Sequence, residues 1–452
     1  MTLVLGAAFV GAAWAADVAA TGRAEANLRL GLADCAEGCG WVDFHDAAVL
    51  GGDLRVRFGR QVRVVASGDL RAHGPTDLLA LEDSGEIEVL RPFSLKLHEA
   101  SVGLDGVGAP WFDLVMGVHR ERWGTADGLS LVDNLNPYDL EDPTRLDQRL
   151  AVPMLLATAH PGNSSIQLGL VPFFVPAALP TDQVDVLAGA RDLFDVPGQN
   201  ATDVREVESR VTMPGDTVLD LGVGGRLALA TGPVDVAASW YHGRDSLPQV
   251  GGELLLTGFS TDNDRVDVGL PVMYPRIDVA GLEARGELPW ELGGWAEVVL
   301  VLPERTVATM SAAQLSALAT LGAIDEVPDP IPSSVTQDGE PFPRAVVGVE
   351  RSFGRVYVNA QWLYGFPTER QWSELSHYGL LTLRFTLSDR WILGLRGVSD
   401  GAGYLAGAEL RYLHGDAAEW WLGSTYIGGS EESALHGFRG VSHAGTGVEV
   451  RF

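Results

Sequence analysis

Val448-Glu449-Val450-Arg451-Phe452 ends the chain. Side chains on a strand alternate with period two, so Val448, Val450 and Phe452 share one face while Glu449 and Arg451 share the other. The termini of soluble domains tend to fray and to be polar. An amphipathic strand has a use at that place when it pairs with the first strand and so removes the sheet's edges. The pattern therefore predicts a closed sheet, with one face toward hydrocarbon and the other toward water.

The same alternation recurs upstream. Eighteen candidate strands fall at 23–33, 51–58, 61–72, 91–103, 111–120, 151–161, 164–174, 216–230, 233–243, 276–288, 292–302, 343–353, 355–364, 377–388, 390–399, 402–413, 416–427 and 442–452. Most approach the ~9 to 11 residues that a tilted strand needs to cross a bilayer. Connections alternate in length. Short turns at Gly59-Arg60, Gly162-Asn163, Thr231-Gly232, Gly354, Asp389 and Gly415 are interleaved with long stretches such as 121–150, 175–215, 244–275 and 303–342. Transmembrane barrels have this asymmetry, with short turns at one rim and long loops at the other. The tight Asp400-Gly401 connection is the exception, since this scheme places it among the long loops.

Parity assigns the two faces. Tyr404, Ala406, Ala408, Leu410 and Tyr412 fall on one side of their segment, opposite Gly407, Glu409 and Arg411. An Arg or Lys at mid-strand on a lipid face costs ~2 to 4 kcal/mol, so the consistent side of the charges is informative. The predicted lumen set is Arg226, Glu283, Arg285, Glu297, Arg344, Glu350, Arg396, Glu409, Arg411, Glu449 and Arg451. Such mixed signs describe either a hydrophilic passage or cross-strand ion pairs that fill a narrow interior. Trp240, Trp362, Tyr364, Trp391, Tyr412, Trp420 and Trp421 lie near strand ends, where amphipathic rings form girdles at headgroup depth.

Composition narrows the function. The chain has 452 residues, 46% of them hydrophobic, and a formal net charge of −28. That charge argues against nucleic acid as a partner; it suits solvated loops, divalent cations or a field that attracts cations. No apolar run reaches the ~18 to 20 residues of a spanning helix. Residues 1–16 read as a signal peptide, with Ala13-Trp14-Ala15 as an A-x-A site after an apolar core, leaving 17–452 as the barrel. Cys35 and Cys39 in an exported chain predict a local disulfide; a metal site there would need Asp43, His45 or Asp46 as further ligands.

The 121–150 stretch, ERWGTADGLSLVDNLNPYDLEDPTRLDQRL, is rich in turn residues and carboxylates. Three readings stay open: a packed loop whose aspartates cap turns, an inward constriction with Asp133, Asp139 and Asp142 at the passage, or a calcium site built from the same three. Ser311-Ala-Ala-Gln-Leu-Ser-Ala-Leu-Ala-Thr-Leu-Gly322 predicts a helix capped by Ser311. The acidic run 260–267 reads as a solvated loop. His160, Asn163 and Ser164 are of catalytic type, but on a turn that requires Pro, Gly and Asn for backbone reasons. No catalytic residue, resident metal or cofactor is expected.

Trp123-Gly124, followed by Asp133-x-x-Asn136-Pro137-x-Asp139 and a Pro153-Met154-Leu155 strand, resembles an uncharacterised family of proteobacterial outer-membrane β-barrel proteins. The resemblance covers about 118–180. Together with the terminal Phe452, which is similar to the signal read by the barrel-assembly machinery, it implies a Gram-negative outer-membrane protein in contact with lipid and lipopolysaccharide. The fold expected is all-β, a transmembrane antiparallel barrel of about 18 strands (16–18). The function expected is a porin-like channel for passive passage of small hydrophilic solutes. The alternative is a non-transporting barrel serving as surface receptor, adhesin or envelope-structure component.

Overall fold

A computed structural model describes residues 16–32, 48–72, 93–141, 145–179, 203–215, 220–260, 265–321, 324–331, 333–430, 433–436, 438 and 442–452. Eighteen strands form one sheet: β1 (Ala16–Gly31), β2 (Ala48–Phe58), β3 (Val62–Ala72), β4 (Phe93–Leu104), β5 (Phe112–His119), β6 (Val152–Ala159), β7 (Ser164–Val171), β8 (Gly222–Ala230), β9 (Val234–Arg244), β10 (Arg276–Leu288), β11 (Leu292–Pro303), β12 (Phe342–Phe353), β13 (Val356–Tyr364), β14 (His377–Thr386), β15 (Trp391–Ser399), β16 (Gly403–His414), β17 (Ala418–Gly429) and β18 (His443–Arg451). Each pairs antiparallel with its sequence neighbours, and β18 returns to β1 with Arg23 opposite Arg451 and Gly31 opposite His443. The sheet is therefore a closed antiparallel barrel. Phe452 continues the closure: its N–H donates to the Gly22 carbonyl at 2.9 Å, and Gly22 N–H donates back at 2.8 Å.

Alternation fixes what each face meets. Leu282 on β10 is 65% exposed on the outside, whereas Glu283 beside it is 5% exposed within. Leu227, Leu229, Val298, Leu300, Leu381 and Leu422 continue the outer apolar band. That band needs hydrocarbon, so the protein is expected to fold only in detergent or lipid and to shift on gels when unheated. Leu282→Arg should cost ~2 to 4 kcal/mol in a liposome folding titration. Thr382→Glu, on the inner face opposite Arg396, should cost far less; equal penalties would reverse the assignment of faces.

Short turns gather at one rim and long loops at the other. Gly59 and Gly354 take φ of +61° in their turns, a region that disfavours a Cβ. The Asp400-Gly401 connection does stand at the long-loop rim, where the Asp400 carboxylate accepts N–H bonds from Ala402 (3.0 Å) and Gly403 (2.6 Å) and the Ser433 hydroxyl at 2.7 Å.

The structure departs from the sequence reading in three places. β1 begins at Ala16 rather than 23, because 16–21 pairs with β2 alone in a staggered barrel. β8 begins at Gly222, and 216–219 of the expected strand lie outside the described residues. The long loops also carry sheets of their own. Arg265–Met273, expected as part of a solvated acidic loop, is a strand between Asp203–Thr212 and Leu255–Ser260. Val266, Val268, Leu270 and Val272 give it the apolar alternation that the neighbouring acids obscured. Thr306–Thr309 pairs with Ser333–Gln337 and Gly252–Glu253. The predicted helix is present as α1 (Ala312–Leu321), with Ser311 Oγ accepting Gln314 N–H at 3.3 Å and Leu315 and Leu318 buried.

Candidate functional site: a loop seated in the lumen

The 121–150 loop connects β5 to β6 and folds into the barrel. Its seat is a single wall carboxylate. Glu297, inward on β11 and 0% exposed, accepts N–H bonds at Oε1 from Thr125 (2.7 Å) and Ala126 (2.8 Å). Its Oε2 accepts from Leu131 (2.8 Å), Val132 (3.4 Å) and the Ser130 hydroxyl (3.1 Å). A buried carboxylate is costly unless donors surround it; here the loop wraps a nest of main-chain donors around the charge. Gly124, with φ +100°, makes that wrap possible: a Cβ there would stand 2.6 Å from Glu297 Oε1.

Apolar side chains complete the seat. Trp123, Leu129, Leu131, Val132 and Leu135 are buried with wall residues Val299, Val301 and Leu363 in one cluster. Trp123 and Leu135 crowd the wall at Gly224, where an added Cβ would meet Trp123 at 2.9 Å and Leu135 at 3.0 Å. Each such side chain contributes about 1.5–3 kcal/mol by leaving water. Polar struts extend the contact around the wall. Asn359 on β13 donates to Asp127 at 2.7 Å, Gln167 on β7 donates to Glu121 at 2.7 Å, and Lys96 on β4 pairs with Asp139 at 2.5 Å and Glu141 at 2.8 Å.

These contacts give the loop's sequence pattern a physical meaning. Trp123 is the apolar anchor and Gly124 the bend. The Asn136 amide oxygen accepts from Glu121 N–H at 3.1 Å, and its nitrogen donates to the Leu150 carbonyl at 2.9 Å, tying the loop's two stems. Pro137 accepts from Leu150 N–H at 2.9 Å. Arg149 stacks over Tyr138 at 3.5 Å and donates to the Ser130 carbonyl at 2.8 Å.

Two of the acidic candidates, Asp133 and Asp139, are buried within the loop's packing. Asp133 is 2% and Asp139 3% exposed, because the loop turns its carboxylates toward its own stems and the wall. Asp133 Oδ1 has no hydrogen-bond partner among the described residues, and burial pushes the carboxyl up to about 7. Burial would also raise Glu141, but Lys96 and Arg71 outweigh it and hold that carboxyl below its ordinary range. Asp142, like Cys35 and Cys39, lies outside the described residues. Among the described residues no group of three or more His, Cys, Asp or Glu side chains is placed to hold a metal ion.

The other lumen candidates sort by partner. Arg226 and Glu283 pair at 2.5 Å, and Arg285 and Glu350 stand at 3.6 Å. Arg411 bonds Glu409 and reaches Glu419 at 3.0 Å; Arg451 bonds Glu449 and lies 3.7 Å from Glu419. Arg396 packs across Gly407. Arg344 donates to the carbonyls of Pro367, at 3.2 Å, and Glu369. His160 sits on its turn with Nε2 3.2 Å from Asp113. The sequence reading missed Lys96, Asn359 and Gln361, whose partners in the loop lie 43 or more residues away. It missed Arg370, buried against Asp245, where burial lowers the guanidinium to about 10 and leaves it charged at neutral pH.

No family model matches the chain, and no curated protein matches its sequence. Solved barrels align over most of its length. OccAB1 of Acinetobacter baumannii is 9% identical, covering 97% of this chain and 96% of its own, with TM-score 0.48. The outer-membrane protein opdK of Pseudomonas aeruginosa is 11% identical, covering 97% and 98%, with TM-score 0.47. Wzi of Escherichia coli, an outer-membrane protein involved in group 1 capsule assembly and a carbohydrate-binding β-barrel, is 11% identical, covering 96% and 84%, with TM-score 0.45. Likeness at this level carries nothing to the site.

Proposed function

We propose that this chain is an exported outer-membrane channel for passive passage of small hydrophilic solutes, narrowed by the 121–150 loop. The observation that supports this reading is the Glu297 nest, which fixes the loop against the inner wall at β11. A barrel of eighteen strands encloses an aqueous lumen unless something fills it, and a loop seated at one wall reduces that lumen. Purified protein in planar bilayers should give discrete conductance steps. Excising Gly124–Asn134 and joining the ends with a short Gly-Ser linker should enlarge those steps several-fold. Silence from both proteins would remove the channel reading.

The small sheets and α1 at the long-loop rim favour a second reading, a non-transporting barrel whose folded loops serve as receptor, adhesin or envelope component. On that reading both proteins stay silent.

A further inference from the structure

Between the inner loop and the long-loop ends of β9 to β12 lies a recess. It measures about 560 Å³ out to open solvent. Arg149, Arg244, Arg344 and Arg370 line it, against one carboxylate, Asp245. We propose that this recess binds a small hydroxylated carboxylate, with Arg344 taking the carboxylate and Gln337 a hydroxyl. As the solute of a channel, such a ligand rests on the function proposed above; its binding does not.

Two of the four cations are already answered by carboxylates. Arg244 pairs with Asp220 at 2.6 Å, and Arg370 pairs with Asp245. Arg149 is held within the inner loop by the Tyr138 ring and the carbonyls of Asn136 and Ser130. Among the described residues Arg344 has no carboxylate within ion-pair distance: it donates to two carbonyls and lies 5.1 Å from the Phe342 ring centre. Glu369 and Glu374 act on it only from farther off. Its Nε is buried without an acceptor. A guanidinium edge with open donors matches the fork of a carboxylate. Gln337, also lining the recess, is 1% exposed and its amide oxygen is buried with no donor. Buried polar atoms are seldom left so, and a ligand hydroxyl supplies the missing donor. A single guanidinium fork suits a single carboxylate.

The test is calorimetric titration of the detergent-folded full chain with D-glucuronate, D-glucose and inorganic phosphate. Glucuronate is expected to bind at least about tenfold more tightly than glucose, the worth of a hydrogen bond to a charged group. Arg344→Gln should erase that difference, and Gln337→Leu should weaken both sugars. Arg344→Lys, which keeps the charge and loses the fork, should fall between wild type and Arg344→Gln. Heat-shifted gel migration verifies folding, and Arg344→Lys carries the test if Arg344→Gln does not fold. Equal affinity for glucuronate and glucose, no binding of either, or wild-type affinity in both Arg344 variants overturns the proposal. Phosphate binding as tightly as glucuronate overturns the carboxylate assignment. A protein that binds glucuronate yet conducts nothing keeps this site and loses the channel; one that conducts and binds none does the reverse.

Discussion

Glu297→Ala is expected to release the 121–150 loop while leaving the barrel closed. In wild type the carboxylate takes four main-chain N–H groups and a hydroxyl in a region closed to water. Removing it strands those donors, and each buried unsatisfied group costs about 1–3 kcal/mol. Against this stands the burial of Trp123, Leu129, Leu131 and Leu135, at about 1.5–3 kcal/mol each. The two sums are of similar size, so the seated and released states become comparably populated. Single-channel records should then alternate between the wild-type level and a larger one, and protease added from the long-loop side should cut within 123–135. Heat-shifted migration should persist, since β11 keeps its ladders to β10 and β12. Glu283→Ala is the control: its partner is Arg226, and the loop should stay seated. Quiet, wild-type-sized currents from Glu297→Ala would show that the apolar contacts suffice and that the nest is incidental.

Most of the barrel was legible in the sequence because lipid outside and water inside impose period two on every strand. Loop length marked the rims, and even the Asp400-Gly401 exception lies where alternation put it. The loop was legible only as a pattern. Trp123, Gly124 and Asn136 stood out, but their work is done through main-chain donors and through glycines on distant strands. Glu297 was placed on the correct face, yet nothing in its neighbours announces that it holds the loop, since its partners are N–H groups that any residue carries. The Asn359–Asp127 bond joins positions 232 apart, a separation that local pattern does not reach. The sheets at the long-loop rim were obscured by acids within their alternation, as in Arg265–Met273.

Asp133→Asn is expected to make loop docking insensitive to pH, where the wild-type loop loosens as pH rises from about 4 to about 7. Asp133 is enclosed by the loop, with Arg149 and Arg122 acting to ionise it and Glu297 and Glu121 opposing. Released into water, its carboxyl loses its proton near the ordinary value of about 4. Docked, it holds the proton up to about 7. Below the lower value both states are protonated and docking is at full strength. Between the two values only the docked loop keeps the proton, so each step upward in pH favours release. Above about 7 both states are ionised and the loss is complete, on the order of 4 kcal/mol. Cleavage within 123–135 should therefore be slow at pH 5 and faster at pH 8 in wild type, and equally slow at both in Asp133→Asn. Because the side chain is buried, the reversal potential in a salt gradient should not move on this substitution at pH 5, where the loop is docked in both proteins. A pH dependence that survives unchanged in Asp133→Asn would assign it to another group; a shift of reversal potential at pH 5 would put Asp133 on the passage after all.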